Sequence, residues 1–599
     1  MNAFVQHRAA SPRASGVCDS SCAAGIHFAC VAAVIGLAIL LRAWNLGGRW
    51  LLRDEAESGI NALTILQHGF PVDHYMGMPI YENTLVKPWP GNIEYEFRDS
   101  SYSDRGIAIY HGWLPLYAMA ASFRFDGIRA DAPESRPRVR YDQQEMRERA
   151  RAARLPSVAF AAVFLAAIYA AGRVMSGPVA GASALAIAAF LPPCVEYGRQ
   201  ARYYSAATAF GVLAFVALWQ VARRGTWRSY GFWTLALILL FFSYAVAFAA
   251  AVATWALVAP WSLRQRSAVR KSLASTVAVC AAVLPWLALT GAIHHHTAIP
   301  AARSLLVFPR DYTAYLAEHS VLVVASIFVV VCLVVLAIGR SRLSGRLALG
   351  VHRLLPPMAF ASLWILIGFA TFVLVVPASS LFMGRVKLAT LGPAIVLVGI
   401  LVDLGTEAIV PKAAAWAPLV VLAGVLAASC GKLQTMVTPL RWEEPGFGFV
   451  EAFRNLDVEA GTRIYALPFE NLALTFAAGL PVQSIAPVRK SFLDGYAGRI
   501  LIIDPIANQK NDTQASIGAQ AHDGLWQNPA IFRGFESFTL DTFWVNFFYR
   551  FVNPSSRSGA GANFAQRETE ARILRMPGGW VVYDCPAKPE RQLAGREDR

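Results

Sequence analysis

Arg49-Trp50-Leu51-Leu52-Arg53-Asp54-Glu55-Ala56-Glu57 lies just beyond the first apolar run long enough to cross a bilayer. Three carboxylates therefore stand beside a membrane surface, at the head of a segment whose Ile60, Leu63, Leu66 and Phe70 repeat at helical spacing. A carboxylate placed there could serve a membrane enzyme as its catalytic base. The bland alternative is local. Asp54-x-x-Glu57 is a capping-box-like pair, and acids at a helix start are favoured by the free N–H groups and the dipole. Capping needs only one or two of the three acids, so both readings stand. Gly69 and Pro71 supply a stop, and the apolar stripe is expected to rest on the bilayer surface or on other spans.

The elements that must position these acids are membrane spans. The 599 residues are 56% hydrophobic and only 16% charged, a combination that soluble globular chains of this length rarely show. Membrane-length runs fall near 27 to 46, 154 to 172, 178 to 195, 203 to 221, 272 to 291, 320 to 338, 355 to 376, 388 to 404 and 413 to 430. The stretch 230 to 262 adds two more if it turns near Ser243 to Ala247. The expected fold is mainly α: a polytopic bundle of about eleven spans, by the span-length criterion.

The net charge of +15 is not read as a nucleic-acid footprint, because the basic residues cluster in short loops between apolar runs and nothing resembles a base-reading module. With residues 1 to 26 as a disordered cytoplasmic tail, the loops carrying Arg223, Arg224 and Arg228, then Arg264, Arg266, Arg270 and Lys271, then Arg340, Arg342, Arg346 and Arg353, all fall on the cytoplasmic side. The membrane domain then covers 27 to 430. Its loop 47 to 153, the links 196 to 202 and 377 to 387, and the loop 292 to 319 face the other side.

Residues 431 to 599 join them there. Strand-like runs at Thr462 to Leu467, Val482 to Ala486 and Arg499 to Asp504 alternate with helical patterns around Phe449 to Leu456 and Phe469 to Ala478, which predicts a small α/β domain with a parallel sheet. Leu540, Phe543, Trp544, Phe547, Phe548 and Phe551 repeat at three and four. They form either the core of that domain or a helix on the membrane rim.

Metal and sulfur chemistry find little support. The eight cysteines are scattered and predict neither a disulfide framework nor a zinc site. His294-His295-His296 faces outward, but adjacent histidines suit a tetrahedral ion poorly, which leaves His294 and His296 as weak ligands. Glu94-x-Glu96 resembles a short acidic metal motif without its aspartates. Tyr75, Trp89, Tyr95, Phe97, Tyr102 and Tyr110 give the first loop either sugar-stacking capacity or a core.

Several segments in order resemble the GT-C superfamily of membrane glycosyltransferases, in particular its protein mannosyltransferase and aminoarabinose transferase branch (glycosyltransferase family 39-like). Asp54-Glu55 with the ending Gly69-Phe70-Pro71 resembles the acidic pair and helix after the first span. Tyr110-His111-Gly112-Trp113-Leu114-Pro115-Leu116-Tyr117 resembles a His-Pro-Pro-Leu-Tyr element, and Arg154-Leu155-Pro156-Ser157 the Arg-Leu-Pro-Ser that opens the next span. Pro192-Pro193-Cys194-Val195-Glu196-Tyr197-Gly198-Arg199-Gln200-Ala201-Arg202-Tyr203-Tyr204 resembles a Ser-Arg-x-x-Arg-x-Tyr link. Met383-Gly384-Arg385-Val386-Lys387 with Pro393 resembles a late Gly-Arg-Tyr and Pro element. Gly112-Trp113 replaces the usual prolines, and Val386 stands where tyrosine is common. The likeness covers about residues 27 to 400.

The resemblance implies a glycosyltransferase that takes a sugar from a polyprenyl-phosphate donor and places it, with inversion, on an acceptor hydroxyl at the outer membrane face. Asp54 would be the base and Glu55 would orient it or the acceptor. The leaving phosphate needs fixed cations, which Arg199, Arg202, Arg385 and Lys387 could supply, although snorkelling to headgroups explains most arginines at span ends. His111, Trp113, Glu196 and Tyr203 are the expected acceptor or sugar contacts. No cofactor is required, and a divalent metal is compatible with such a site. The partners would be the lipid-linked donor, a lipid, glycan or protein acceptor, and membrane lipids, with no nucleic acid. The setting would be a bacterial plasma membrane. The rival readings are a transporter or lipid flippase, which would place ionisable residues within spans, and a non-catalytic envelope scaffold.

Overall fold

The computed structural model describes residues 17–51, 53–80, 102–103, 105–109, 112–133, 136–262, 266–292, 345–375, 387–409, 416–437, 445–466, 470–484, 498–504, 572–576 and 580–587. The chain is mainly helical. In order come α1 (Val17–Ala43), α2 (Arg53–His68), the small hairpin β1 (His74–Tyr75) and β2 (Met78–Pro79), α3 (Trp113–Phe125), α4 (Gln143–Met175), α5 (Pro178–Phe190), α6 (Pro192–Tyr197), α7 (Tyr204–Arg224), α8 (Trp227–Phe241), α9 (Ala245–Ser262) and α10 (Arg266–Thr290). Then follow α11 (Gly345–Val375), α12 (Lys387–Ile409), α13 (Ala417–Val437), α14 (Pro445–Arg454), β3 (Arg463–Ala466), α15 (Glu470–Ala478), β4 (Gln483–Ser484), β5 (Ile500–Asp504), β6 (Arg572–Arg575) and β7 (Val581–Cys585).

Among the described residues, seven helices are long and apolar enough to cross a membrane, and two shorter apolar ones, Pro178–Phe190 and Ala245–Pro260, accompany them. This is an integral membrane protein. The stretch 230 to 262 does break at 242–244, between α8 and α9. The expected span 320 to 338 and the aromatic helix near 540 to 551 lie outside the described residues.

Prolines inside the bundle explain several cross-helix contacts. Each removes an N–H and strands the carbonyl four residues earlier. Pro156 in α4 strands Ala152 O, which accepts instead from Ser122 Oγ of α3 at 2.8 Å. Pro393 in α12 strands Ala389 O, which accepts from the indole N–H of Trp364 in α11 at 3.2 Å. Pro192 and Pro193 strand Ala188 O and Ala189 O at the end of α5. The fully buried Arg42 of α1 donates to both, at 3.0 and 2.9 Å. A buried carbonyl must be satisfied by something, and here each partner ties two helices together.

The helix ends sort into two sets. At one end Arg199 donates to Leu41 O and Arg42 O, Arg105 to Ala288 O and Leu289 O, and Leu114 N–H to Phe242 O. Gly112 is needed there, because a side chain would collide with the carbonyls of Phe242 and Ser243. At the other end Arg353 donates to Ser176 O at 2.7 Å, Ser176 bonds Asp403, and Lys271 Nζ donates to Gly225 O at 2.6 Å. Helix termini thus alternate along the chain, as the charge pattern requires. Arg223, Arg224, Arg228, Arg266, Arg270 and Lys271 gather at the second end, in a stretch with no Asp or Glu between Glu196 and Asp311.

α2 is enclosed rather than laid on lipid. From Glu55 to Ile65 every residue is buried. Ile60 and Leu63 pack with Leu116, Met119 and Phe123 of α3, with Tyr75 and Tyr102 of the first loop, and with Leu472, Ala473 and Phe476 of α15. The polar flank closes on itself: Ser58 Oγ bonds Asp54 O, Asn61 Nδ2 bonds Glu57 O, Thr64 Oγ1 bonds Asn61 O, and Tyr102 OH donates to Asn61 Oδ1.

The C-terminal domain carries a five-stranded sheet in the order β4-β3-β5-β7-β6. β3, β4 and β5 fall on the expected runs and pair in parallel, whereas β6 and β7 add an antiparallel flank. The domain is tied to the first loop and the head of α4. Arg149 Nε donates to Phe476 O at 3.1 Å and Arg140 N–H to Ala478 O at 2.9 Å. Arg136 meets Asp457 at 2.6 Å, and Arg454 bonds Tyr141 O. Under this seam the buried Asp131 accepts from Tyr75 OH, Tyr141 OH, Arg140 and Arg149.

Candidate active site

Three elements meet at the head of α2: the end of α1 with the turn that follows it, the start of the apolar part of α4, and the link 198–203 between α6 and α7. Arg154 of α4 organises them. Its Nη1 donates to Leu46 O at 2.8 Å and Arg49 O at 3.0 Å, and its Nη2 to Trp50 O at 3.1 Å. The same guanidinium holds Glu55 in a fork, Nε to Oε1 at 2.8 Å and Nη2 to Oε2 at 2.7 Å. Glu55 Oε1 also accepts the backbone N–H of Ala201 at 2.7 Å. One buried ion pair therefore fixes α2, α4, the α1 exit and the link at once.

Arg202 does the same for the other two acids. Its Nη2 lies 3.1 Å from Asp54 Oδ2 and its Nη1 3.0 Å from Glu57 Oε2, with further bonds from Nη1 to Asp54 O at 2.8 Å and Ser58 Oγ at 3.1 Å. Burial alone would drive the Arg202 guanidinium toward neutrality. Asp54 and Glu57 overturn that and hold its pKa well above the ordinary value. The three acids differ sharply in access: the side chain of Asp54 is 42% exposed, those of Glu55 and Glu57 2% and 4%. Glu55 and Glu57 are anchors, whereas the Asp54 side chain is held by Arg202 and still partly open to solvent.

Among the arginines expected to face a phosphate, Arg202 is thus engaged by carboxylates. Arg199 is buried and spends Nη1 on the carbonyl ends of α1, Leu41 O at 2.8 Å and Arg42 O at 3.0 Å. Its pKa falls to about 10 through burial and the neighbouring Arg154, Arg49 and Arg42, against the pull of Glu55. Lys387 begins α12 and acts with Lys432 and Arg49 on Glu196, which accepts from Gln200 Nε2 at 3.1 Å. Glu196 is open at one edge yet crowded enough that lost solvation raises its carboxyl pKa, opposed by those three cations. Tyr203 lies under Arg202, 5.6 Å from ring centre to guanidinium, and stacks on Tyr244 at 5.0 Å. It is buried. Tyr204, half-buried beside it, packs between Tyr203 and Tyr197.

Trp113 stands on a different wall. Its indole N–H donates to Ala108 O at 2.8 Å, and its ring meets Trp286 of α10 edge-on at 5.7 Å. Tyr75 and Tyr102 serve the loop's own packing. His111, Arg385, His294 and His296 lie outside the described residues, and among the described ones no three His, Cys, Asp or Glu side chains group as metal ligands. Sequence reasoning assigned no role to Lys432 or Tyr244, saw Glu57 only as part of a capping-box-like pair, and saw Arg154 only as the start of a motif. The signal for Arg154 was present: an arginine at the mouth of an apolar run needs buried partners, and three acids were waiting. Lys432 and Tyr244 carry no such local signal.

No protein-family model matches the chain, and no curated protein matches it. Solved structures similar to it include ArnT from Cupriavidus metallidurans in the apo state, at 11% identity over 95% of this chain and 100% of that one, with a TM-score of 0.49. The archaeal oligosaccharyltransferase AglB from Archaeoglobus fulgidus, in complex with an inhibitory peptide and a dolichol-phosphate, is similar at 10% identity over 82% of this chain and 70% of that one, TM-score 0.44. The arabinofuranosyltransferase AftD from Mycobacteria is similar at 14% identity over 82% of this chain and 34% of that one, TM-score 0.42.

Proposed function

We propose that this chain is a membrane glycosyltransferase of the GT-C type that moves a sugar from a polyprenyl-phosphate donor to an acceptor hydroxyl, with inversion and with Asp54 as base. The observation that carries the reading is the inequality among the acids of α2: only Asp54 keeps an accessible carboxylate, aimed by a buried arginine at the mouth of the bundle. Asp54 takes the hydroxyl proton as the acceptor oxygen bonds to the anomeric carbon. The bond from that carbon to the phosphate oxygen breaks, and its electron pair leaves on the lipid phosphate.

That growing charge calls for cations near the mouth. Lys387, Lys432 and Arg49, which act together on Glu196, are the groups we assign to it, with Arg385 two residues before α12 as a further donor. Arg199 contributes its field, and Arg202 aims the base. Glu55 acts as the anchor of the link. Trp113 and the half-buried Tyr197 and Tyr204 offer aromatic faces to a sugar or prenyl chain. The basic turns at the opposite end favour a cytoplasmic position for that end, which supports a site on the periplasmic or extracellular face of a plasma membrane. No step requires a metal, and the acceptor is a lipid, glycan or protein hydroxyl.

The test is sugar transfer by the purified protein in nanodiscs, using the lipid-linked sugar that accumulates when the gene product is absent. Asp54→Asn should lower turnover about 10²- to 10⁴-fold with unchanged expression. Full activity in that variant rejects the assignment.

A further inference from the structure

The contacts of α14 and α15 give the C-terminal domain a task at the reaction centre. Asp54 stands between two points that this domain grips, four residues after Trp50 and five before Gly59. At Trp50, Phe447 of α14 packs edge-on at 5.3 Å, and a Cβ on Gly446 would come within 2.5 Å of the indole. At Gly59, the ring of Phe476 in α15 lies so close that a Cβ on the glycine would sit 2.6 Å from it. Neither approach tolerates a larger residue, so both are fixed distances rather than loose packing.

Phe476 is itself held from behind. Its carbonyl accepts from Arg149 Nε at 3.1 Å, the Arg149 guanidinium lies 5.1 Å from its ring, and Phe123 of α3 meets it at 5.7 Å. Trp50 O in turn accepts from Arg154, the residue that forks Glu55. The grip on Trp50 therefore reaches the acidic head of α2 through one guanidinium.

We propose that the C-terminal domain is a positioning part of the active site: α14 on Trp50 and α15 on Gly59 set the azimuth of α2, and Phe476 is the positioning residue that aims Asp54. The proposal rests on the glycosyltransferase reading for its catalytic consequence, and on packing alone for its structural one. Mispositioning a reacting group by about 1 Å can cost on the order of 10²-fold in rate, with little effect on substrate affinity.

The experiment uses the full chain in nanodiscs, with Phe476→Leu and the volume-filling Phe476→Met. Phe476→Leu should lower kcat tenfold or more with the donor KM within twofold, while Phe476→Met, whose longer unbranched side chain refills most of the ring's volume without adding a polar group, should keep kcat within threefold of the parent. Hydrogen exchange gives the arm that needs no reaction: amides of 56–66 should exchange at least tenfold faster in Phe476→Leu, with those of α7 unchanged. If the parent protein transfers sugar and Phe476→Leu does so equally well, the positioning role is overturned and the transferase reading stands. If the parent transfers nothing, that reading fails, and unaltered exchange in α2 overturns the positioning role separately. A Phe476→Leu loss confined to KM, or an equal loss in Phe476→Met, also overturns it.

Discussion

Arg154 and Glu55 meet as a two-pronged pair, at 2.8 and 2.7 Å, with both side chains almost wholly out of water. Removing one partner strands the other charge in the interior, at a cost of about 3–5 kcal/mol. Glu55→Gln and Arg154→Met should each lower the unfolding midpoint substantially in a thermal melt. The double variant should lose clearly less than the sum, and additive losses would show that the two charges do not depend on each other.

Arg202 spans Asp54 and Glu57 with different nitrogens of one planar group. A lysine keeps the charge but offers a single point of contact. Arg202→Lys should therefore reduce sugar transfer at least about tenfold, through a misaimed Asp54, an effect on the scale of lost orientation. Steady-state kinetics would register this in kcat, and an unchanged kcat would remove Arg202 from the positioning of the base.

The Trp364 indole serves the carbonyl that Pro393 leaves stranded. Trp364→Phe should cost about 1–3 kcal/mol for the unsatisfied group. In a Pro393→Ala background the helix supplies its own N–H, and the same substitution should cost markedly less. Equal costs in both backgrounds, measured by denaturant melts in micelles, would refute the compensation.

Loss of solvation raises the Glu196 carboxyl above its ordinary 4.5, so the folded protein holds that proton more tightly than the unfolded chain. The associated stability is complete below pH 4.5 and is lost as pH rises through the folded value. Glu196→Gln cannot lose a proton. It should match the parent near pH 4 and become the more stable of the two as pH approaches 7. Melting curves across that range check the sign, and a less stable variant at pH 7 would mean that Lys387, Lys432 and Arg49 outweigh burial.

Local pattern sufficed for much of the architecture. The break between α8 and α9 was legible as a polar interruption at Ser243, and β3, β4 and β5 as short apolar runs between turns. β6 and β7 were missed because Arg572–Arg575 and Val581–Cys585 are brief and lie among basic and glycine-rich residues. The stripe Ile60, Leu63, Leu66 and Phe70 gave the right helix and an incomplete view of its surroundings. An amphipathic pattern shows which face seeks cover and is silent on a cover that arrives more than 400 residues later, as Phe476 does on Gly59. The acids and arginines were visible, but their pairing was not. Which guanidinium reaches which carboxylate depends on how α4 and the 198–203 link cross the head of α2, and that is a property of packing.

The length of α4 has one more consequence. Its capping box at Asp142 and Glu145 starts a helix that continues through Pro156 to Met175. At about 1.5 Å per residue it spans roughly 50 Å, well beyond the ~30 Å of a hydrocarbon core. The surplus is a mast on which Arg149 carries Phe476 and Arg154 carries Glu55. The height of the acidic head of α2 along α4 is thereby written as a residue count, the same in every copy of the molecule.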